Sequence, residues 1–282
     1  MKVLFCTDGS AKSFNAISNF SKIFNKIEAD ILSVSDMTYF TDTILMYNDK
    51  IIEQCSNNVD SIINAAEEYL EDKGIKIGKT IKKCGSTVDN ILRIESNHEY
   101  EYIIMGSNGK KGIQKWLGSV SQEVALKSKT PVYISKTRKN VENILFPISN
   151  DMYLNNGLDK IINQTNLSDK KISLISIYEM PEFLFFSGNI DSNWITDVER
   201  KQQNESVNLL NSIEKIFINK GISVNDKAVI KGNPTEEILK YIDDYLISLT
   251  ILGMKNSKKR NSSIANNILE QAECDIIIDK SI

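Results

Sequence analysis

The chain repeats one plan of strands and helices, and this duplication restricts its possible folds more than any other feature. The apolar run Lys2–Phe5 returns as Asn143–Phe146, and Leu117–Lys136 aligns without gaps on Asn261–Lys280. Two similar sequences must form the same supersecondary units. A chain of 282 residues is also long enough for two ordinary domains. We therefore predict two tandem domains of the same fold.

Each copy alternates apolar strands with amphipathic helices. In the long helix of the first copy, Val59, Ile62, Ala66 and Tyr69 recur at three-four spacing. Strands separated by helices are typical of a parallel sheet covered on both faces. We predict an α/β protein with five-stranded parallel-sheet domains over residues 1–138 and 142–282. The predicted strands of the first domain are Val3–Thr7, Asp30–Val34, Lys79–Cys84, Tyr102–Met105 and Pro131–Ser135.

A glycine-rich stretch follows the fourth predicted strand. The apolar run Ile103–Met105 ends at Gly106, and Gly118-Ser119 opens an apolar-periodic segment. Glycine lets the backbone approach a ligand closely, and a helix N-terminus presents N–H groups and positive dipole to an anion. The pattern favours a phosphate site. The alternative is a surface connection whose glycines only turn the chain.

Composition argues against several functional classes. The net charge of −3 gives no basic surface for nucleic acid. The sequence contains no run of about 18 apolar residues, so we expect no membrane span. The four cysteines lack metal-ligand spacing, which is typical of reduced thiols in a cytoplasmic protein.

The sequence contains few residues or motifs that are typical of catalytic sites. His98 is the only histidine, and no G-x-x-x-x-G-K-[ST] motif is present. Paired carboxylates such as Glu67-Glu68 stand at adjacent helix positions, so they cannot converge on one substrate bond. We expect no efficient enzyme.

These motifs resemble the universal stress protein family across both copies. The resemblance rests on Asp8-Gly9-Ser10 after the first strand, Leu32–Asp36 at the second, Met105–Gly109, and Gly118–Ser121. It implies a Rossmann-like fold of the adenine-nucleotide α-hydrolase class. The ATP-binding branch of the family further implies ATP or AMP as ligand, with or without Mg²⁺.

The resemblance assigns site residues by position. Asp8 is expected to accept hydrogen bonds from ribose or base, because sugar hydroxyls are donors. Val34 is expected to touch adenine through its backbone, and Gly109, Gly118 and Ser119 to hold phosphates. The predicted nucleotide site comprises Thr7, Asp8, Val34, Met105, Gly106, Ser107, Gly109, Gly118, Ser119 and Val120.

Three lysines within the glycine-rich stretch have two interpretations. Lys110, Lys111 and Lys115 either screen phosphate charge or belong to a solvated surface. Their position between Gly109 and Gly118 motivates the first interpretation.

The two copies depart from the family pattern to different extents. Only eight residues separate Gly109 from Gly118, one fewer than in the family, which is expected to shift the phosphate cradle. In the second copy Ser149 stands where Asp8 would be, and Ser262 replaces the glycine at the helix start. We predict that the second domain is degenerate and mainly structural.

Two further features concern partners. The apolar segment Met180–Trp194 is interpreted either as a partner surface or as a flap on its own domain. The terminal strands Val132–Ile134 and Ile276–Ile278 are apolar edge candidates that invite pairing. Family members dimerise through this strand, so the resemblance implies an internal pseudo-dimer of the two domains and leaves a homodimer open.

The leading hypothesis is therefore a cytoplasmic ATP- or AMP-binding regulatory protein of stress response, in which the first domain holds the nucleotide. One alternative is a non-nucleotide interaction scaffold of the same fold. Another is a weak ATPase or autokinase in which Ser119 or Ser121 accepts a phosphoryl group.

Overall fold

The computed structural model of the protein describes residues 1–38, 49–107, 117–136, 140–149, 157–180, 192–254 and 259–280. The chain forms two compact units. The first consists of Met1–Asn140 together with Asp275–Lys280, and the second of Val141–Cys274. Both units alternate strands and helices, which confirms the predicted α/β class.

The first unit contains a parallel sheet in the order β3-β2-β1-β4-β5. Strand order reverses at β1, which has β2 on one side and β4 on the other. In open α/β sheets ligands bind beyond the carboxyl ends of the strands at this reversal. The strands are β1 (Lys2–Cys6), β2 (Glu28–Ser35), β3 (Lys76–Cys84), β4 (Tyr102–Gly106) and β5 (Val132–Ser135), and the helices are α1 (Ala11–Ile23), α2 (Asp49–Asp72), α3 (Thr87–Ser96) and α4 (Ser119–Lys127).

Aromatic and branched side chains build the core of this unit. The β1 residues Val3, Leu4 and Phe5 are fully buried because helices cover the strand on both faces. Phe20 of α1 packs edge-on against Tyr133 of β5, with ring centroids 5.4 Å apart. These contacts fix α1, whose first turn lies beside the carboxyl edge of the sheet.

A sixth strand, β10 (Asp275–Asp279), belongs to the sheet of the first unit. It runs antiparallel to β5, with Ile276 opposite Ile134 and Ile278 opposite Val132. The sequence repeat assigns this strand to the second domain, whereas the structure places it in the first unit. The two terminal strands that were predicted to invite pairing are therefore paired with each other.

One buried carboxylate holds β10 in register. Asp275 is fully buried. Its oxygens accept hydrogen bonds from the Asn19 amide (3.0 Å), the Tyr133 hydroxyl (2.6 Å), the Ser135 hydroxyl (3.2 Å) and the Lys136 backbone N–H (2.9 Å). A buried carboxylate is tolerated only with such partners. Asp275 therefore favours one pairing of β10 with β5.

The second unit has a parallel sheet in the order β9-β6-β7-β8, which is the order of β4-β1-β2-β3 in the first. Phe146 of β6 packs against Phe217 in its core at 5.2 Å between centroids. The strands are β6 (Asn143–Ile148), β7 (Lys171–Tyr178), β8 (Val224–Lys231) and β9 (Leu249–Gly253), and the helices are α5 (Gly157–Gln164), α6 (Ser192–Asn219), α7 (Pro234–Asp244) and α8 (Lys259–Gln271).

The predicted third strand was too short at its start. β3 begins at Lys76 rather than Lys79, and a bulge opposite Asp30 interrupts its pairing with β2. Gly78 occupies this bulge because an added Cβ would lie 2.1 Å from Asp30 Oδ1. None of the helices in the described ranges combines the length and apolar character that a membrane crossing needs.

Candidate functional site

A cavity of about 240 Å³ opens at the carboxyl edge of the first unit, where strand order reverses. It lies between the ends of β1, β2 and β4 and the starts of α3 and α4. Six residues of the predicted nucleotide site line it, and they come from four separate segments: Thr7, Asp8, Val34, Met105, Gly106 and Val120.

The other predicted residues lie beside the cavity or outside the described part of the chain. Ser107 follows Gly106 and is buried, while Gly118 and Ser119 stand at the start of α4, next to Val120. Gly109 lies outside the described residues, as do Lys110, Lys111 and Lys115. The structure thus brings the nucleoside part of the predicted site together and places the start of α4 at its rim.

The turn from β1 to α1 holds Asp8 at the mouth of the cavity. Asp8 Oδ1 accepts a hydrogen bond from the Ser10 N–H at 3.1 Å, and Thr7 Oγ1 accepts one from the Gly9 N–H at 3.0 Å. Gly9 has a φ of 73°, which glycine adopts without strain. The Ser10 hydroxyl then caps α1 by accepting from the Ser13 N–H. The Ser10 N–H therefore helps to orient the Asp8 carboxylate.

Gly106 allows β4 to end against the first turn of α1. An added Cβ would lie 2.8 Å from the Ser13 backbone nitrogen and 2.9 Å from the Lys12 carbonyl carbon. Neither Gly106 nor Gly118 has a positive φ. These two glycines therefore serve close backbone approach rather than the left-handed conformation that glycine also permits.

Helix α4 starts beside the cavity without a side-chain cap. Its N-cap residue is Gly118, which offers no side-chain acceptor, and the Gly118 N–H donates to the Ser107 carbonyl at 2.6 Å. The first-turn N–H groups of an α-helix attract anions. Ser121 is buried, and its hydroxyl donates to the Gly106 carbonyl at 2.7 Å, whereas Ser119 is exposed. The Ser121 hydroxyl thus ties α4 to the end of β4.

Five polar residues in the described ranges that sequence reasoning did not assign to the site also line the cavity, among them Asp36 and Thr87. Asp36 Oδ1 accepts hydrogen bonds from the Thr38 N–H (2.9 Å) and hydroxyl (2.6 Å), and Thr87 starts α3 beside it. Asp36 stands two residues after Val34 on the same strand end, so period-two alternation could have found it. Thr87 comes from a distant segment and carries no such signal.

The β1-facing edge of β2 ends in this cavity. The described pairing of β1 with β2 stops at Cys6 and Leu32, whereas β2 continues against β3 as far as Ser35. The backbone around Val34 therefore extends past the end of β1. A strand segment that extends beyond its neighbour in this way can present its backbone groups to the edge of a planar base.

Cys6 lines the base of the cavity but lacks nucleophilic character. Burial raises the pKa of the Cys6 thiol. The thiolate is the reactive form of cysteine, so this shift disfavours reactivity. Cys6 therefore acts as a packing residue in β1.

A larger cavity of about 670 Å³ lies at the opposite edge of the same sheet. Lysines surround it, but Lys76 is paired with Glu28 and Lys2 with Asp30. It lies at the amino ends of β1, β2 and β3, away from the strand reversal. The cavity of about 240 Å³ is the better candidate for the functional site. It lies where strand order reverses, borders a helix start and is lined by residues of the predicted nucleotide site.

The second unit has a cavity at the equivalent place, but its lining is different. It measures about 120 Å³, and Ser149 is the one polar side chain among its described lining residues. Three exchanges between aligned positions remove polar groups: Thr7 becomes Ile148, Thr87 becomes Pro234 and Ser121 becomes Ala265. Ser149 takes the place of Asp8. The side chains of this cavity therefore offer few acceptors for the donors of a sugar or base.

Comparison with known proteins identifies relatives of the first half of the chain. A model of the Universal stress protein family matches residues 1–136. A universal stress protein of Methanocaldococcus jannaschii is 37% identical over 92 residues, which are 32% of this chain and 53% of that protein. The chain therefore spans about half the length of this curated relative.

Solved structures with the same fold cover the whole chain. A universal stress protein of Archaeoglobus fulgidus has a TM-score of 0.68 at 19% identity, covering 99% of this chain and 96% of that chain. The cytoplasmic domain of a prokaryotic cation chloride cotransporter has a TM-score of 0.54 at 11% identity, covering 98% and 94%. Identities this low show the fold alone, and one fold serves unrelated functions.

Proposed function

Since residues 1–136 belong to the universal stress protein family, we propose that this first domain binds an adenine nucleotide, ATP or AMP. The protein would act as a cytoplasmic regulatory protein of stress response, with nucleotide occupancy as its signal. The observation that carries this proposal is one cavity that joins a carboxylate, an open strand edge and a helix start.

The parts of this cavity match the parts of a nucleotide. The volume of about 240 Å³ lies somewhat below the 300–1,000 Å³ that is typical of pockets enclosing a whole ligand. A nucleoside would therefore occupy the cavity while its phosphates lie at the rim. Asp8 would accept hydrogen bonds from ribose or base, and the backbone beside Val34 would pair with adenine.

The start of α4 is the proposed phosphate site. The first-turn N–H groups after Gly118 lie beside Val120, which lines the cavity. A phosphate there would gain hydrogen bonds and the favourable helix dipole. The exposed Ser119 hydroxyl adds a donor. Any Mg²⁺ would arrive with the phosphates, since no cluster of His, Cys, Asp and Glu among the described residues is arranged to hold a metal.

The second domain is proposed to be structural. Its smaller cavity, whose described lining side chains are apolar apart from Ser149, supports this proposal, because polar groups of a nucleotide would meet few side-chain partners there. The non-nucleotide scaffold is the alternative that this observation favours for the second domain. The pseudo-dimer implied by the family resemblance stays a prediction.

Nucleotide content and calorimetry test the proposed function. The purified chain is denatured and its supernatant is chromatographed for adenine nucleotides, and ATP and AMP are titrated into nucleotide-free protein. We expect one nucleotide per chain. Neither co-purified nucleotide nor binding at millimolar ATP or AMP would refute the proposal.

A matched pair of variants locates the site. Gly118→Val places a branched side chain at the start of α4. Ser262→Val makes the change at the aligned position of the second domain, which lies inside α8 rather than at a helix start as the sequence predicted, because α8 begins at Lys259. We expect only Gly118→Val to weaken ATP binding. Equal affinity in both variants, with unfolding midpoints unchanged, would contradict the phosphate site at α4.

A further inference from the structure

We propose that Lys12 contacts the phosphates of the bound nucleotide and makes the site prefer ATP over adenosine. This inference rests on the proposed nucleotide site. Lys12 belongs to no motif of the predicted site, and it stands in the first turn of α1.

The ammonium group of Lys12 lies where the phosphates would emerge. Lys12 Nζ donates to the Ser107 hydroxyl at 3.3 Å. The Ser107 carbonyl accepts from the Gly118 N–H at 2.6 Å. Ser107 therefore joins the Lys12 ammonium to the residue that precedes α4. The Lys12 ammonium and the Gly118 N–H at the start of α4 thus both donate hydrogen bonds to Ser107, which is buried.

The position of Lys12 is set by backbone packing. The glycine at 106 lets the end of β4 approach α1 so closely that an added Cβ would meet the Lys12 backbone at 2.9 Å. The Ser10 cap fixes the same helical turn. Lys12 is half-buried, so its stem is constrained while its ammonium can still rotate toward a ligand.

The negative charge of the cavity would oppose phosphate binding unless a nearby cation offsets it. Two carboxylates, Asp8 and Asp36, line the described cavity, and its lining residues include no lysine or arginine. A polyphosphate carries several negative charges, which these carboxylates repel. The partial charge of a helix start falls off within one turn. Lys12 is a full positive charge at the rim.

The contact with Ser107 leaves that charge intact. A hydroxyl is neutral, and an ammonium has three donors. Lys12 can therefore donate to a phosphate oxygen while it keeps its hydrogen bond to Ser107. Lysine binds phosphate in this way as a flexible point charge.

Lys22 provides a matched control on the same helix. It stands in the last turn of α1, where its Nζ donates to the Asn140 side chain at 2.8 Å. Ten positions separate the two lysines, which is about 15 Å along a helix. Lys22 thus shares the helix, the charge and a neutral partner, but lies far from the carboxyl edge of the sheet.

Calorimetry with ATP, AMP and adenosine on Lys12→Met and Lys22→Met tests the inference. We expect Lys12→Met to lower ATP affinity at least tenfold, to lower AMP affinity less, and to leave adenosine affinity within about twofold. Lys22→Met should change none of the three, and Lys12→Arg should retain most ATP affinity. The ATP affinity of wild type should also fall more steeply with added salt than that of Lys12→Met.

Three results would overturn the inference. Unchanged ATP affinity in Lys12→Met would remove its role, and an equal loss for ATP and adenosine would assign it to general folding of the site. A wild-type chain that binds none of the three ligands would refute the proposed function as well. Binding by wild type with no effect of Lys12→Met would refute this inference alone.

Discussion

Replacing Gly106 by alanine should damage both the stability of the first unit and its nucleotide site. The new Cβ would lie 2.8 Å from the Ser13 nitrogen, 2.9 Å from the Lys12 carbonyl carbon and 3.1 Å from Lys12 Cβ. Two of these atoms are backbone, so no side-chain rotation can relieve the clash. The first turn of α1 must move away from β4 by several tenths of an ångström.

The size of the effect follows from what this movement disturbs. Inserting a methyl group into a well-packed site costs about 1–3 kcal/mol. The Gly106 carbonyl also accepts the Ser121 hydroxyl at 2.7 Å, a contact that holds α4 against β4. We therefore expect the unfolding free energy of the first unit to fall by about 1–3 kcal/mol and ATP affinity to fall about tenfold.

Gly74→Ala is the control for this experiment. Gly74 has a φ of 65° and nothing within 4 Å of an added Cβ, so alanine there strains the backbone without a clash. That strain costs about 1–2 kcal/mol. The control thus loses comparable stability far from the cavity.

Urea unfolding and ATP calorimetry on both variants distinguish the two effects. Gly74→Ala should be destabilised but should bind ATP as wild type does. Gly106→Ala should lose both stability and affinity. A Gly106→Ala protein with wild-type stability and affinity would show that α1 and β4 are not packed as described, and would refute the reasoning.

Three further predictions concern single residues. Asp275→Asn should lower the unfolding free energy by about 1–3 kcal/mol, because its amide nitrogen replaces one of the two acceptor oxygens and then faces buried donors. Exposed Glu273→Gln should change it by less than about 0.5 kcal/mol, and equal effects in urea unfolding would contradict this. Burial lowers the pKa of Lys280 from 10.5 to about 8. Between these two pH values the unfolded chain binds more protons than the folded chain, so the unfolding free energy rises with pH. Any stabilisation by Lys280→Met should therefore shrink from pH 7 to pH 10.5, and a pH-independent difference in unfolding free energy between the variant and wild type would refute this prediction. Asp8→Asn should weaken adenosine binding by about tenfold, since hydrogen bonds to charged acceptors are the stronger ones, and should weaken ATP binding less, because it also removes a carboxylate that repels the phosphates; calorimetry showing unchanged adenosine affinity would remove Asp8 from the site.

Much of the fold could be predicted because local patterns carried it. Apolar periodicity predicts the alternation of strands and helices in each copy. The second copy repeats the pattern of the first, which supports the same prediction independently. The family resemblance assigned Asp8 and Gly106 to one site, and both line the same cavity. They follow or end β1 and β4, whose carboxyl ends lie together where strand order reverses.

The placement of β10 could not be predicted from the repeat. Similar sequences indicate similar local structure, but they do not decide which sheet an end strand joins. The decisive residue is Asp275, which reads as an ordinary polar position at the start of an apolar run. Its four donors come from α1, β5 and the residue that follows β5, far away in sequence. Long-range polar contacts of this kind leave no periodic signal.

The cavity wall shows a similar division. Val34 and Met105 were assigned to the site by the family resemblance, whereas Thr87 on the cavity wall and Lys12 beside Ser107 were not. Thr87 and Lys12 stand in first turns of helices, where polar residues ordinarily serve as caps or solvated positions. Only the packing of helices around the sheet shows that these first turns border the cavity.

A crystal structure of the chain soaked with a non-hydrolysable ATP analogue tests the central claim most directly. We predict one analogue per chain, with its base beside Val34, its ribose beside Asp8 and its phosphates at the start of α4 within reach of Lys12. Density for the analogue only in the cavity of the second unit, or in neither cavity at saturating concentration, would contradict the account.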